Sequence, residues 1–273
     1  MFRTIVIALD GSEFAARAVP IGMTLARRGG ANVRAVAIAR NDAELEWTYK
    51  AVFEDTNLDG LDRAGIDFLI DPDPAKILLA KTVADGSVLC LATHDRPQPV
   101  TALMHSVGSE VIERATHPVI AVGSDASVES LADDVVVALD GVGNAEPLLA
   151  VAAAWASQLR TRLRIVTVYE PVLSDVRRPE HYTRLHGPPG DPDTYLSAMA
   201  ERVSDVGLQG VETVAIGDPI GPAPGLEQHL ADRPALLLVL GGGRMHRPHV
   251  HGGVARRVLA NATVPVLIVN RNE

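Results

Sequence analysis

The chain has 273 residues, 25 of them basic and 34 acidic for a net charge of −9, with 47% apolar and 4% aromatic residues. That length favours two domains over one core, and the composition excludes a disordered or fibrous chain. The acidic balance and the scarcity of rings on which bases stack argue against a nucleic-acid partner, and no apolar run approaches the roughly 18 residues of a membrane-spanning helix.

In chain order, the sequence enters a strand at Thr4-Ile5-Val6-Ile7-Ala8 with no basic head and cleavage site before it, so the expected compartment is the cytoplasm. The run ends in Leu9-Asp10-Gly11 and a helical pattern follows. Asp73-Pro74 opens a helix that leads to the apolar run Ser87-Val88-Leu89-Cys90-Leu91, in which the single cysteine reads as a small packed hydrophobe. A helix rich in Val, Ala and Arg then precedes the strand Pro118-Val119-Ile120-Ala121-Val122.

The pattern is then written again. Val135-Val136-Val137-Ala138-Leu139-Asp140-Gly141 repeats the first strand, and Asp218-Pro219 precedes a helix leading to Leu236-Leu237-Leu238-Val239-Leu240. Pro265-Val266-Leu267-Ile268-Val269 repeats the last strand. The small, polar Gly123-Ser124-Asp125-Ala126-Ser127 falls between the copies as a linker, giving domains at 1–124 and 132–273. The second copy is longer, and the extra residues fall mainly between Glu170 and Asp193, where Pro171, Pro179, Pro188, Pro189 and Pro192 predict a surface loop or lid.

Each copy reads as five strands alternating with helices. The strands are continuous apolar runs rather than strict alternations, as in sheets covered on both faces, so the fold class is α/β with two doubly wound, five-stranded, mainly parallel sheets. Such sheets bind ligands beyond the carboxyl ends of their strands.

Asp10 and Asp140 stand at that end, and two readings fit each: a helix cap, shared in the first copy with Ser12, or a contact to a ligand hydroxyl. Gly241-Gly242-Gly243-Arg244 follows the fourth strand of the second copy, and Gly252-Gly253 opens its last helix. Glycines let backbone amides approach an anion at a helix N-terminus, while the competing reading is a plain surface turn. His246, His249 and His251 lie within this loop, but no nearby carboxylate or cysteine completes a metal site, and a cationic surface is the simpler reading. None of the three lysines follows a glycine, which excludes a P-loop, and neither Gly-x-Ser-x-Gly nor His-Glu-x-x-His occurs.

Together these landmarks resemble the universal stress protein family, in a tandem form with two such domains. Leu9-Asp10-Gly11-Ser12 is similar to the family's opening strand and turn, and His105-Ser106-Val107 through Pro118 and Gly252-Gly253-Val254 through Pro265 resemble its closing segment at equal spacing. The resemblance implies a fold like that of adenine-nucleotide alpha hydrolases and an adenosine site on the Gly-x2-Gly-x9-Gly-(Ser/Thr) motif. The first copy departs from that motif, with Ala92, Asp95 and His105 at the glycine positions before Ser106, and a carboxylate at Asp95 would repel phosphates. Asp10 and these residues therefore form a degenerate site. The second copy keeps Gly241 and Gly252 but carries Arg244 for the second glycine, a loop two residues shorter, and Gly253 for the Ser/Thr. Arginine can itself bind phosphate. Asp140, Val168, Gly241, Gly242, Gly243, Arg244, Gly252 and Gly253 are the expected nucleotide site, with Asp140 at the nucleoside and Val168 along the base.

What the resemblance implies is a stress-response regulator that takes ATP or AMP in its second domain and acts through assembly rather than turnover, with magnesium entering only alongside ATP. Pairing of the two closing strands across the copies would make an intramolecular pseudo-dimer, and two chains would pair as a homodimer. The competing readings are an interaction module independent of nucleotide and, behind it, a slow ATPase, which needs a metal and an aligned water.

Overall fold

The computed structural model describes residues 1–55, 58, 60–82, 86–93, 107–141, 145–171, 186–204, 208, 210–242 and 253–270. The first half runs β1 (Thr4–Leu9), α1 (Glu13–Ala16), α2 (Ala18–Gly29), β2 (Asn32–Ala39), α3 (Asp42–Lys50), β3 (Ile66–Ile70), α4 (Pro74–Thr82), β4 (Ser87–Ala92), α5 (Val107–Arg114) and β5 (Val119–Val122). The second runs β6 (Asp134–Leu139), α6 (Glu146–Leu159), β7 (Arg162–Tyr169), α7 (Pro192–Ser204), β8 (Val211–Gly217), α8 (Pro222–Asp232), β9 (Leu237–Gly241), α9 (Val254–Asn261) and β10 (Val266–Val269).

The strands form one sheet in the order β3-β2-β1-β4-β5-β10-β9-β6-β7-β8. Every neighbouring pair is parallel except the central one, where β5 and β10 run antiparallel with Ile120 opposite Leu267. The two closing strands thus meet as the family resemblance implies, and neither is left as an apolar edge open to other chains. The sheet is buried on both faces because each strand alternates between two apolar layers. Ile5, Ile7, Val135, Val137 and Ile165 pack on one side with residues of α2, α6 and α7, and Val6, Leu89, Val136 and Leu238 on the other with residues of α4, α5, α8 and α9. Cys90 is fully buried, its thiol lies 3.7 Å from the Ala18 carbonyl, and burial pushes its pKa up to about 12, so it behaves as packing material.

Helices α2 and α6 join the halves on one face. The Phe2 and Trp155 rings stack at 4.2 Å, and Gln158 accepts from the Phe2 N–H at 3.0 Å while donating to the Phe2 carbonyl at 2.6 Å and the Gly29 carbonyl at 3.1 Å. The segment 123–127, expected as a linker, is tied down. Ala126 is buried, Arg17 donates to the Ser124 carbonyl, and just beyond the segment Ser130 Oγ donates to the Thr263 carbonyl at 2.6 Å.

Two elements start differently from their expected places. The loop predicted to reach Asp193 ends at Asp191, whose carboxylate accepts from the Thr194 N–H at 2.9 Å and so caps α7. Pro192 opens that helix, because a missing N–H costs nothing in a helix's first turn. Asp73 accepts from the Lys76 N–H at 2.9 Å and directly starts α4, whereas Asp218 binds the Ile220 and Gly221 amides in a turn and α8 begins only at Pro222.

A buried ion cluster closes the amino ends of β6, β7 and β8. Arg164 and Asp134, each 3% exposed, form a salt bridge, Arg162 Nε reaches Asp134 at 2.9 Å, and Arg164 also donates to the Arg233 carbonyl at 3.1 Å. Arg233 grips the Glu212 carboxylate with both terminal nitrogens, at 2.7 and 2.9 Å, which holds that carboxyl below its ordinary pKa.

Candidate functional site

The carboxyl ends of β6, β7 and β9 and the start of α9 bring Asp140, Val168, Gly241, Gly242 and Gly253 to one end of the sheet, opposite the ion cluster. Asp140 is the first residue past β6, and Gly141 turns the chain in the left-handed region at φ +71°. The first half is alike, with Asp10 past β1 and Gly11 at φ +82°. There Ser12 is the cap of α1, accepting from the Ala15 N–H at 3.0 Å, while Asp10 braces Ser12 through its N–H at 2.9 Å and its hydroxyl at 2.6 Å. Oδ1 of Asp10 is therefore engaged in the turn, and the cap of α1 is Ser12.

Burial, and after it the negative charge of Asp140, push the Tyr195 phenol of α7 up, and Arg202 opposes them. Asp140 is thus near enough to α7 for its charge to bear on Tyr195. Tyr195 has no signal in the motif spacing.

Both glycine turns are covered by the segment that follows the second strand of their half. A methyl group on Gly11 would fall 2.8 Å from the Ala51 Cβ, at the end of α3, with Trp47 at 3.5 Å. A methyl group on Gly141 would fall 2.3 Å from the Pro188 α-carbon. Pro188 belongs to the proline-rich insertion, whose last residues are anchored where Gly187, at φ +99°, lies on Tyr169, Glu170 N–H donates to the His186 carbonyl at 3.3 Å, and the His186 ring meets the Asp218 carbonyl at 2.8 Å. The insertion's described end sits on the turn after β6. Residues 172–185 lie outside the described residues.

Val168, near the end of β7, is 5% exposed and lies beneath α8, where Gly225 admits it: a methyl group on Gly225 would be 2.8 Å from Val168 Cγ1. Gly241 ends β9 opposite Val269, and its nearest neighbour on the side-chain side is Leu148 at 3.8 Å. Gly242 donates its N–H to the Val269 carbonyl at 2.8 Å, so that amide is not aimed at a ligand. Glycine stands there for a different reason, since a methyl group would fall 1.6 Å from Asn270 Oδ1. Gly253 caps α9 with no described residue within 4 Å on its side-chain side, and Arg256 and Arg257 follow on the exposed face of that helix. Gly243, Arg244, Gly252 and the three histidines of that loop lie outside the described residues, as do Asp95, His105 and Ser106 of the first copy. Ala92, the last residue of β4, pairs with Val122 as Gly241 pairs with Val269, so the two copies' motifs start at equivalent points of the sheet.

The structure is thus a doubly wound α/β protein in two like halves, each with an Asp-Gly turn after its first strand, joined through β5 and β10. The family model described as the universal stress protein family matches residues 132–270, which is half of the chain, and the chain belongs to that family. The solved structure of a universal stress protein from Archaeoglobus fulgidus is 18% identical, with a TM-score of 0.65 and 98% of each chain covered. A protein from Pseudomonas aeruginosa assigned to the same family is 14% identical, with a TM-score of 0.55, covering 98% of this chain and 93% of its own. These likenesses extend the fold over both halves. No curated protein matches the chain. No helix among the described residues is long and apolar enough to cross a membrane.

Proposed function

We propose that the chain is a nucleotide-responsive regulator built as two domains, 1–124 and 132–273, with one working adenosine site in the second. The observation that carries this reading is the coincidence of three features in one half. The family match falls on 132–270, the glycine-rich sequence survives there, and among the described residues nothing fills the side-chain side of Gly253 at the start of α9. Asp140 would take the ribose, Gly241, Gly243, Gly252 and Gly253 would let the chain close on phosphates, and Arg244 would add a charge-assisted contact. Gly242 keeps its place in the loop but spends its amide on β10. Magnesium would arrive with ATP alone. Action through assembly, as a cytoplasmic homodimer of such pseudo-dimers, belongs to the same proposal.

A second reading is favoured by Pro188. Its contact with Gly141 covers the turn beside Asp140, and a site so covered suits an interaction module that takes no nucleotide. One experiment separates the two. Protein purified without added nucleotide is denatured, and the released small molecules are quantified by mass spectrometry, with Gly252→Asp in parallel. Adenine nucleotide at up to one per chain, lost in the variant, supports the sensor. No release, and no heat on titration with ATP or AMP, leaves the interaction module.

A further inference from the structure

Asn270 is the first residue after β10, and its side chain crosses from the second half into the first. Its Nδ2 donates to the Ile112 carbonyl at 2.9 Å and to the Ala115 carbonyl at 2.7 Å, the free carbonyls at the end of α5. Its Oδ1 lies in the space a side chain at Gly242 would take, so Gly242, where the glycine-rich loop leaves β9, and the end of α5 share one small side chain between them.

The first half solves the same junction the other way round. Thr93 follows β4 and donates its N–H to the Val122 carbonyl at 2.9 Å, just as Gly242 does to Val269, and the residue after β5 is Gly123. A methyl group on Gly123 would be 3.0 Å from the Leu259 carbonyl and 3.1 Å from the Ala262 carbonyl, at the end of α9. In the first half the side chain stands after the fourth strand and the glycine after the fifth. In the second the two are exchanged, and only there does the side chain after the last strand hold the opposite half's helix.

We propose that Asn270 is a latch through which the glycine-rich loop of the second half sets the position of α5 in the first, so that an adenine nucleotide taken up at the second site is felt across the pseudo-dimer. The part concerning ligand rests on the nucleotide reading above. Ligand uptake that shifts Gly242 relative to Asn270 changes how firmly Nδ2 holds the α5 carbonyls. That differential contact is what coupling between two sites requires. The coupling is reciprocal, so whatever displaces α5 changes the second site by the same factor through Asn270, and Gly123 has no side chain to provide a second contact of this kind.

The test is hydrogen exchange on the full chain, with and without ATP, in the wild type, Asn270→Asp, Gly242→Ala and the double variant Gly242→Thr/Asn270→Gly. Asn270→Asp keeps the shape and loses the donors, and Gly242→Ala drives the intact donor away. Each is expected to speed exchange in the last turn of α5 about tenfold, the scale of one or two lost hydrogen bonds. The double variant copies the first half's arrangement. It is expected to recover the thermal midpoint that Gly242→Ala loses while α5 still exchanges fast. If Gly242→Ala leaves α5 as in the wild type, the latch does not exist. ATP is expected to change α5 exchange in the wild type and not in Asn270→Asp. Binding with no change at α5 overturns the proposal. If ATP does not bind the wild type at all, the nucleotide reading fails, and the unliganded comparison of Gly242→Ala with Asn270→Asp alone decides the latch.

Discussion

The α-carbon of Pro188 occupies the place where a side chain on Gly141 would begin, 2.3 Å from that position. Two costs therefore fall on Gly141→Ala: a left-handed backbone at φ +71°, about 1–2 kcal/mol for a residue with a Cβ, and the displacement of Pro188, about 1–3 kcal/mol for crowding a packed contact. Gly30 separates the two, because it has a similar φ of +65° and nothing within 4 Å of a new methyl group. Gly141→Ala is expected to lose about 2–5 kcal/mol and Gly30→Ala about 1–2 kcal/mol, read from urea midpoints at constant slope. Equal losses would mean that Pro188 yields without cost and that the insertion does not press on the turn.

The contrast between those glycines shows which parts of the molecule were legible in the sequence. Strand positions such as Thr4–Leu9 and Val266–Val269 follow from local apolar runs, and the Asp-Gly turns follow from glycine's freedom at positive φ, so one strand and one turn can be read without knowing the rest. The antiparallel β5–β10 pair was legible through the family resemblance alone, since nothing local says which edge a strand will meet. Pro188, Tyr195 and Asn270 were not legible. Each acts on a residue far away in the chain, and a proline in a loop, a tyrosine in a helix or an asparagine after a strand looks the same whatever it touches. Arg164 did carry a signal, an arginine inside the apolar run Leu163-Arg164-Ile165, and a charge in a two-sided buried strand calls for a buried partner. Gly242 looked like part of an anion cradle and turned out to make room for Asn270.

The Arg164–Asp134 pair is expected to be costly to break and cheap to replace. Removing one partner leaves a buried charge, so Asp134→Ala should cost about 3–5 kcal/mol, while Asp134→Val with Arg164→Met should lie closer to the wild type than either single change. The first half supplies the control. Arg34 holds the register position of Arg164, but the residue at the position of Asp134 is Thr4, and Arg34 pairs instead with Asp67 at 2.7 Å in solvent. Arg34→Met should cost less than about 1 kcal/mol. A double-mutant cycle by chemical denaturation measures the coupling, and a coupling energy near zero would show that the buried pair contributes nothing beyond its two separate side chains.

The same cluster makes the second half sensitive to acid through His229 of α8. Its Nε2 is shut off from solvent without a hydrogen-bond partner, and it is faced by Arg164 from β7, Glu212 from β8, and Asp232 and Arg233 at the end of its own helix. Burial first, then Arg164 and Arg233, lower its pKa below the ordinary 6.5, and Glu212 and Asp232 only partly oppose them. The folded chain thus holds the imidazole neutral where the unfolded chain protonates it. In that window the unfolded state binds more protons, so stability is full above the unfolded value and is lost as pH falls from about 6.5 toward the depressed folded value. His229→Gln keeps a polar side chain of similar reach and removes the titration. Urea midpoints at pH 7.5, 6.5 and 5.5 are expected to fall more steeply in the wild type than in His229→Gln, with the gap opening below pH 6.5. Parallel curves would show that His229 contributes nothing to the pH dependence over this range, since Glu212, with its lowered pKa, acts only at more acidic pH.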